Sequence, residues 1–209
     1  MIEQRTPEWF EARLGRVTAS KIADVMAKGR SGAPSATRAN YAAQIVAERL
    51  TGAAYETFQS AAMMHGNEAE DQARAVYTMN TGRVVAEVGF IPHPSIDMCG
   101  ASPDGVIGDD GLIEIKCPNT ATHIASLRGG SIDGGYMKQM QFQMACTGRA
   151  WCDFVTFDPR MPDEMQMLIR RVERSDEQIN DIEAEVQAFL AEVAATEADL
   201  RARYMQEAA

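Results

Sequence analysis

The sequence predicts a mixed α/β fold: one domain, residues 1–209, with a central mixed β-sheet flanked by helices. Apolar residues recur at helical spacing in the first 80 residues, whereas residues 83–117 alternate with a period of two. A helical pattern over 136–147 separates this strand region from two further strand-like segments. Helices and strands in such a mixed order are typical of an α/β protein. A length of 209 residues suits one domain with a substantial core.

Four helices are predicted before the strand region. Thr6 is a favourable N-cap for the first helix, and Pro7 suits its first turn. Thr18 or Ser20 caps the second helix, which Gly29 ends. A Gly/Ser/Pro-rich loop separates the second helix from the third. The four predicted helices span residues 7–14, 18–29, 41–50 and 67–80.

Five strands and two helices follow in the remaining chain. The strand-like segments are 83–91, 99–107, 111–117, 150–157 and 164–172. The helix over 136–147 precedes the last two strands. The final segment, about 176–205, is predicted to be a long amphipathic helix of the same domain.

Charge is unevenly distributed along the chain. The net charge is −10, yet residues 1–50 carry eight Lys/Arg against five Asp/Glu. Residues 173–209 carry three Lys/Arg against ten Asp/Glu. Because local fields decide what a surface binds, the N-terminal part remains compatible with an anionic partner such as DNA.

Composition argues against several classes of protein. No apolar run approaches the roughly 18 to 20 residues that cross a bilayer. The polar start, MIEQRTPEWFEARLG, lacks the apolar region of a secretory signal, so a cytoplasmic location is expected. The four cysteines form no CxxC pair and are expected to be reduced thiols.

One apolar run, Leu112-Ile113-Glu114-Ile115-Lys116, carries two charges inside a predicted buried strand. Residues two apart in a strand share a face, so Glu114 and Lys116 point the same way. Asp104 ends the preceding strand at a Pro-Asp-Gly turn, and a hairpin-like return brings it beside Glu114. Close carboxylates repel unless a cation or proton lies between them, and oxygen ligands suit Mg²⁺ or Mn²⁺. The plainer alternative is a surface salt bridge on an edge strand.

The Asp…Glu-X-Lys set matches the signature of PD-(D/E)XK nucleases, although the bare pattern is only moderately specific. Five segments occur in the order found in phage lambda exonuclease and its YqaJ-type viral recombinase relatives: ARLGRVTASK, GNEAEDQARAVY, ASPDG…GLIEIKCP, YMKQMQFQM and FDPRM. The chain therefore resembles this family from about Trp9 to Val172. The resemblance implies a restriction-endonuclease-like fold.

The resemblance also implies a Mg²⁺-dependent 5′→3′ double-stranded DNA exonuclease. Such an enzyme leaves 3′ single-strand overhangs for recombination by strand annealing. Asp104, Glu114 and the Ile115 carbonyl would hold Mg²⁺, with Mn²⁺ as a substitute, and Glu70 matches a further ligand on a helix. Lys116 would contact the scissile phosphate or the attacking water. Two cations could clamp the attacking and leaving oxygens. Without the resemblance, Glu70 is a solvated helix residue.

A cationic and hydroxyl pocket holds the 5′-phosphate of the DNA end in that family. The matching positions are Arg13, Ser20, Ser102 and Gln139. An arginine fork and hydroxyl donors suit a phosphate dianion. Two plainer roles remain open, a helix cap for Ser20 and a surface position for Gln139.

Two further residues match DNA contacts of the family. Arg30, in the Gly/Ser-rich loop, would touch a backbone phosphate, and Met63 would be an apolar wedge near the separating strands. A solvated loop charge and a core side chain are the plainer alternatives. The chain departs from the family after Pro118, where residues 119–127 replace a Ser-Arg pair.

The resemblance implies a homotrimeric ring acting on double-stranded DNA ends inside a bacterial host cell, beside a single-strand annealing protein. Three alternatives remain: a site-specific DNA endonuclease, a Cas4- or RecB-like nuclease, and a catalytically inactive DNA-end-binding module. An iron–sulfur nuclease needs a cysteine cluster near its C-terminus, whereas the last cysteine is Cys152. An inactive module is favoured by loss of Asp104, Glu114 or Lys116, and all three are present.

Overall fold

A computed structural model describes residues 3–29, 35–55 and 61–205, with side chains from residue 69 onward in the last range. The helices in these ranges are α1 (Pro7–Arg13), α2 (Ile22–Val25), α3 (Ala36–Thr51), α4 (Ala61–Thr81), α5 (Thr120–Leu127), α6 (Gly134–Thr147) and α7 (Asp176–Tyr204). The strands are β1 (Val17–Thr18), β2 (Val85–Ala86), β3 (Ile91–Pro92), β4 (Cys99–Ala101), β5 (Gly105–Ile107), β6 (Gly111–Lys116), β7 (Trp151–Phe157) and β8 (Met167–Glu173). None of these helices is both long and apolar enough to cross a membrane.

The strands form two mixed sheets, which confirms the mixed α/β class and divides the expected central sheet. The larger sheet has the order β2-β5-β6-β7-β8, in which β6 and β7 are parallel and the other pairs antiparallel. The smaller sheet has the order β1-β4-β3, with β1 parallel to β4. Each of the predicted strands 83–91 and 99–107 therefore breaks in two and contributes to both sheets.

The crossover between β4 and β5 consists of Ser102, Pro103 and Asp104. Pro103 has no N–H to donate to a ladder, so the strand cannot continue through it. Glycines flank the crossover. A Cβ on Gly105 would lie 2.3 Å from a Val85 methyl group, and a Cβ on Gly100 would lie 2.5 Å from the Ile91 carbonyl oxygen. Close approach of neighbouring chain segments thus requires glycine on both sides of the crossover.

Several helices begin at residues other than the predicted ones, because side chains cap their N-termini. The side chains of Ser35, Asn119 and Asp133 each accept a backbone N–H at the start of a helix. Two of these caps start α3 and α6 before the predicted positions, and the third starts α5, which was not predicted. Residues 18–29, predicted as one helix, instead give the end of β1, a 3₁₀ turn over Ala19–Lys21 and the short α2.

The larger sheet separates two apolar cores. One face presents Leu112, Cys152 and Phe154 to a core that includes residues of α6 and α7. The other face presents Ile113, Ile115, Val155 and Phe157 to residues of α4. Glu114 shares the first face. There α6 covers it, and Glu114 is only 1% exposed, whereas the Lys116 side chain on the same face is 28% exposed.

Candidate active site

The register of the β5–β6 hairpin places Asp104 beside Glu114. Gly105 pairs with Ile113 in this antiparallel pair. Asp104, just before Gly105, therefore lies beside Glu114, just after Ile113. The backbone N–H of Ile115 donates a 2.6 Å hydrogen bond to Asp104 Oδ2. The predicted hairpin return is therefore present. However, Asp104 does not end a strand; it lies in the crossover and leads into β5.

Glu114 is held by three donors inside the core. Oε1 lies 2.5 Å from Lys116 Nζ and accepts a 2.7 Å hydrogen bond from Gln139 Nε2. Oε2 accepts a 2.6 Å hydrogen bond from Gln143 Nε2. The two glutamines are four residues apart on α6 and therefore share one face of that helix. Lys116 is two residues from Glu114 on β6, as the strand alternation predicted.

Lys116 is a firmly protonated ammonium group with a path to solvent. Burial by itself lowers the pKa of Lys116, but the charges of Glu114 and Asp104 and the Glu114 hydrogen bond outweigh it and raise the pKa. The side chain is 28% exposed, and Nζ lies 4.9 Å from the centre of the Tyr136 ring. A cation in this position can donate hydrogen bonds to an anion that approaches from outside.

Glu70 lies on α4 and is bound by two arginines that sequence reasoning missed. Oε1 accepts a 2.8 Å hydrogen bond from Arg74, one turn later on the same helix. Oε2 accepts a 2.7 Å hydrogen bond from Arg5, near the start of the chain. Arg74 also donates to the backbone carbonyl of Asp104 at 3.2 Å. An i,i+4 spacing could have signalled Arg74, whereas no local pattern links Arg5 to Glu70.

The carboxylates of Asp104, Glu114 and Glu70 share one electrostatic environment. Burial, then the charge of Glu114, then that of Glu70 hold the pKa of Asp104 well above its usual value. Carboxylates that raise one another's pKa in this way can accommodate a cation between them. Among the residues that the structure describes, no three His, Cys, Asp or Glu side chains form a ready-made metal cage. Lys116, the glutamines and the two arginines occupy oxygens that a metal would use.

The donor chemistry nevertheless fits a hard divalent cation. Carboxylate and carbonyl oxygens are the ligands that Mg²⁺ prefers. A soft ligand, Cys117, directly follows β6. Burial and the charges of Glu70 and Asp104 raise the pKa of this thiol to about 12, so it is neutral at pH 7 and a poor ligand. All four cysteines are free, as expected.

Ser102, in the crossover, joins Arg13 and Trp9 in a second group of polar side chains. Ser102 Oγ accepts hydrogen bonds from Trp9 Nε1 at 3.0 Å and from Arg13 at 3.2 Å. These bonds use both lone pairs of the hydroxyl oxygen, so its O–H remains to donate to a ligand. Arg13 also stacks on the Trp9 ring at 4.0 Å. Burial lowers the pKa of Arg13 to about 10, which leaves it cationic at neutral pH.

Two other expected pocket residues form hydrogen bonds with residues outside this group. Ser20 is two residues beyond Thr18, which pairs with Gly100 in the parallel β1–β4 ladder, so Ser20 and Ser102 follow the same edge of the smaller sheet. The Ser20 hydroxyl lies 3.3 Å from that of Thr18. Gln139 is instead bound to Glu114. Arg30 and the side chain of Met63 lie outside the described residues.

Comparisons with known proteins give a consistent family. The model of the YqaJ-like viral recombinase domain matches residues 8–150. The crystal structure of an alkaline exonuclease (LHK-Exo) from Laribacter hongkongensis is 54% identical, with a TM-score of 0.88 over 95% of this chain and 97% of that one. The same protein in complex with dAMP gives 54% identity and a TM-score of 0.89, with the same coverage.

A phage related exonuclease from Haemophilus somnus 129PT shares the fold at 16% identity, with a TM-score of 0.67 over 88% of this chain and 96% of that one. No curated protein matches. The family model covers about two thirds of the chain and includes Arg13, Glu70, Asp104, Glu114 and Lys116. The chain belongs to the YqaJ-like viral recombinase domain family.

Proposed function

We propose that the chain is a Mg²⁺-dependent 5′→3′ double-stranded DNA exonuclease that leaves 3′ single-strand overhangs for strand annealing. Family membership and 54% identity to an alkaline exonuclease support exonuclease action on DNA. The main structural support is the register of the β5–β6 hairpin, which sets Asp104 beside Glu114 and Lys116. The polarity, the metal and the role in recombination are our proposals.

Asp104, Glu114 and Glu70 are the side chains that would hold Mg²⁺, together with the Ile115 carbonyl, and Mn²⁺ would substitute. When bound, the metal would activate water and stabilise charge on the attacking and leaving oxygens. Hydrogen bonds within the chain orient two of these carboxylates. The Ile115 N–H fixes Asp104, and the two α6 glutamines fix Glu114 without cancelling its charge.

Lys116 would bind an oxygen of the scissile phosphate. Its ammonium group remains charged because Glu114 and Asp104 stabilise the protonated form. Negative charge increases on the phosphoryl oxygens as a nucleophile approaches phosphorus, so a fixed cation there lowers the barrier. The partial exposure of Lys116 gives the phosphate access.

The Arg13–Ser102 group would receive the 5′-phosphate of the DNA end, with Ser20 on the same sheet edge. Arg13 supplies a guanidinium and Ser102 a free O–H, both suited to a phosphate. Gln139 donates one amide N–H to Glu114 and keeps a second N–H that can donate to a ligand. The crossover connects this group to the metal site because Ser102 and Asp104 are two residues apart. The relative's complex with dAMP, a deoxynucleoside monophosphate, is consistent with release of mononucleotides.

A closed homotrimeric ring around DNA and a single-strand annealing partner remain part of the proposal, as does a place in the cytoplasm of a bacterial host. Residues 1–50 carry three more basic than acidic side chains, whereas α7 carries eight acidic side chains against two arginines. A ring of such subunits can turn basic surfaces toward DNA and acidic ones outward.

The test uses linear duplex labelled separately at its 5′ and 3′ ends, with Mg²⁺ or with EDTA, beside a closed circular duplex. Metal-dependent loss of the 5′ label, with the 3′ strands intact and the circle uncut, is the expected result. Cutting of the circle would identify an endonuclease and remove the argument for an end pocket. No cutting of either substrate would favour the inactive DNA-end-binding module.

A further inference from the structure

The segment Glu3–Thr6 is anchored beside Glu70. Gln4 Nε2 donates 2.8 Å hydrogen bonds to the backbone carbonyls of Val88 and Pro103. Thr6 caps α1 and donates its hydroxyl hydrogen to the Glu3 carbonyl. Arg5 lies between these anchors with a φ of 68°, a left-handed conformation that costs energy for any residue with a side chain. The segment therefore holds Arg5 in a defined, strained position.

The two arginines at Glu70 differ in what else they bind and in how freely they can move. Arg74 also forms ion pairs with Asp71 and Glu87, and its side chain is only 12% exposed. Arg5 pairs with Glu70 at 2.7 Å, and its side chain is 41% exposed. Arg5 can turn toward water by giving up one ion pair, whereas Arg74 would give up three.

A divalent cation at Glu70 would conflict with Arg5. Arg5 occupies Oε2, and a guanidinium that close to a metal-bound oxygen would repel the metal. Arg74 already orients Glu70 through Oε1, so Arg5 is not required to position the carboxylate. Its main electrostatic effect is to neutralise Glu70 when no metal is bound.

We infer that Arg5 is a built-in counter-ion of Glu70, which competes with the divalent cation and must be released for the metal to bind there. The N-terminal segment thereby regulates metal loading. The inference rests on the proposed function, because it requires Glu70 to hold a cation.

The experiment is a calorimetric titration of the full chain with Mn²⁺, without DNA. Arg5→Ala removes the guanidinium, and Arg5→Gly also accepts the positive φ without strain. Both variants should bind Mn²⁺ about two- to fivefold more tightly, the range set by the strength of partly exposed ion pairs. Arg203→Ala is the matched control, since Arg203 is an exposed arginine paired only with Asp199 among the described residues. Its affinity for Mn²⁺ should remain unchanged.

A double-mutant cycle with Glu70→Gln separates direct competition from a general field effect. Glu70→Gln alone should weaken Mn²⁺ binding, and Arg5→Ala should then give no gain. Unchanged or weaker binding in the Arg5 variants, or an equal gain in the Glu70→Gln background, would overturn this inference alone. Absence of Mn²⁺ binding in the wild type, or indifference to Glu70→Gln, would overturn the metal role of Glu70 and this inference together.

Discussion

Glu114 and Glu70 flank Asp104 in the same candidate site, yet the protein holds them by different means. Glu114 lies in the core between β6 and α6, where two neutral amides and one ammonium bind it. Glu70 lies near the surface on α4, between two guanidinium groups. Neutral donors orient a carboxylate and leave its charge available, whereas guanidinium groups orient it and cancel that charge. The inner carboxylate is therefore oriented mainly by amides and paired with one cation, whereas the outer one is paired with two.

The largest effect on cleavage is expected from replacing Lys116, the one ammonium group that binds Glu114. Lys116→Ala should lower cleavage about 100- to 10,000-fold, because the phosphate loses its fixed cation. Binding to duplex ends should be largely retained. Rates on labelled duplex and a separate binding assay in EDTA measure the two effects. Lys28→Ala, which removes an exposed lysine near Glu185, is the control. Full activity of Lys116→Ala would exclude Lys116 from the chemistry.

Arg13 provides a contrast with the paired arginines at Glu70, because its close partners are the neutral Ser102 and Trp9. Among the described residues Arg13 forms no salt bridge, although the charge of Glu48 acts on it, so its guanidinium is available for a phosphate. Arg13→Ala should slow cleavage of 5′-phosphorylated ends by about 10- to 100-fold, the worth of a hydrogen bond to a charged group. Ends with a 5′-hydroxyl should be affected little. An equal loss on both substrates would make Arg13 a structural residue.

Gln143→Leu tests whether the amides stabilise the inner carboxylate. It leaves the buried Oε2 of Glu114 without its donor, which should lower the free energy of unfolding by about 1–3 kcal/mol. Chemical denaturation measures this value. The control, Gln44→Leu, removes a similar hydrogen bond to Glu48 on α3. Because the backbone N–H groups of Gly15 and Tyr55 still donate to Glu48, this change should cost less stability. Equal costs would show that Glu114 needs no special support.

Asp104→Asn should have the smallest effect. Whereas Gln143→Leu should lower the stability of the protein, Asp104→Asn should raise it. The raised pKa of Asp104 means that the metal-free folded state binds a proton more tightly than the unfolded chain. Stability of the wild type should therefore fall as pH rises from about 4 toward the raised pKa. Asp104→Asn removes this dependence and should raise Tm at neutral pH by about 2–4 °C. Thermal melts across pH, with and without Mg²⁺, test it; a lower Tm would contradict it.

Local patterns in the sequence predicted the inner half of the site. Strand alternation put Glu114 and Lys116 on one face, and the ten-residue return put Asp104 beside them. The α/β class and the start of α7 at Asp176 also followed from periodicity and capping. These features depend on residues close in sequence, where backbone geometry fixes the relation.

The outer half could not be predicted in this way, because its contacts join distant segments. Arg5 and Glu70 are 65 residues apart. One contact of the inner half is also long-range, since Gln143 meets Glu114 only because α6 packs on the larger sheet. The division into two sheets also depends on long-range pairing, since β1 pairs with β4 across about 80 residues. The predicted roles of Ser20, Gln139, Arg30 and Met63 remain predictions.

The crossover between the two sheets limits how the protein could be re-engineered. Gly100 and Gly105 have no room for a side chain, and Pro103 fixes the path between them. Libraries that randomise this stretch would yield mostly misfolded variants. A designer who wishes to change the proposed 5′-phosphate site should therefore begin with Phe10 of α1, which is 48% exposed and tolerates replacement more readily.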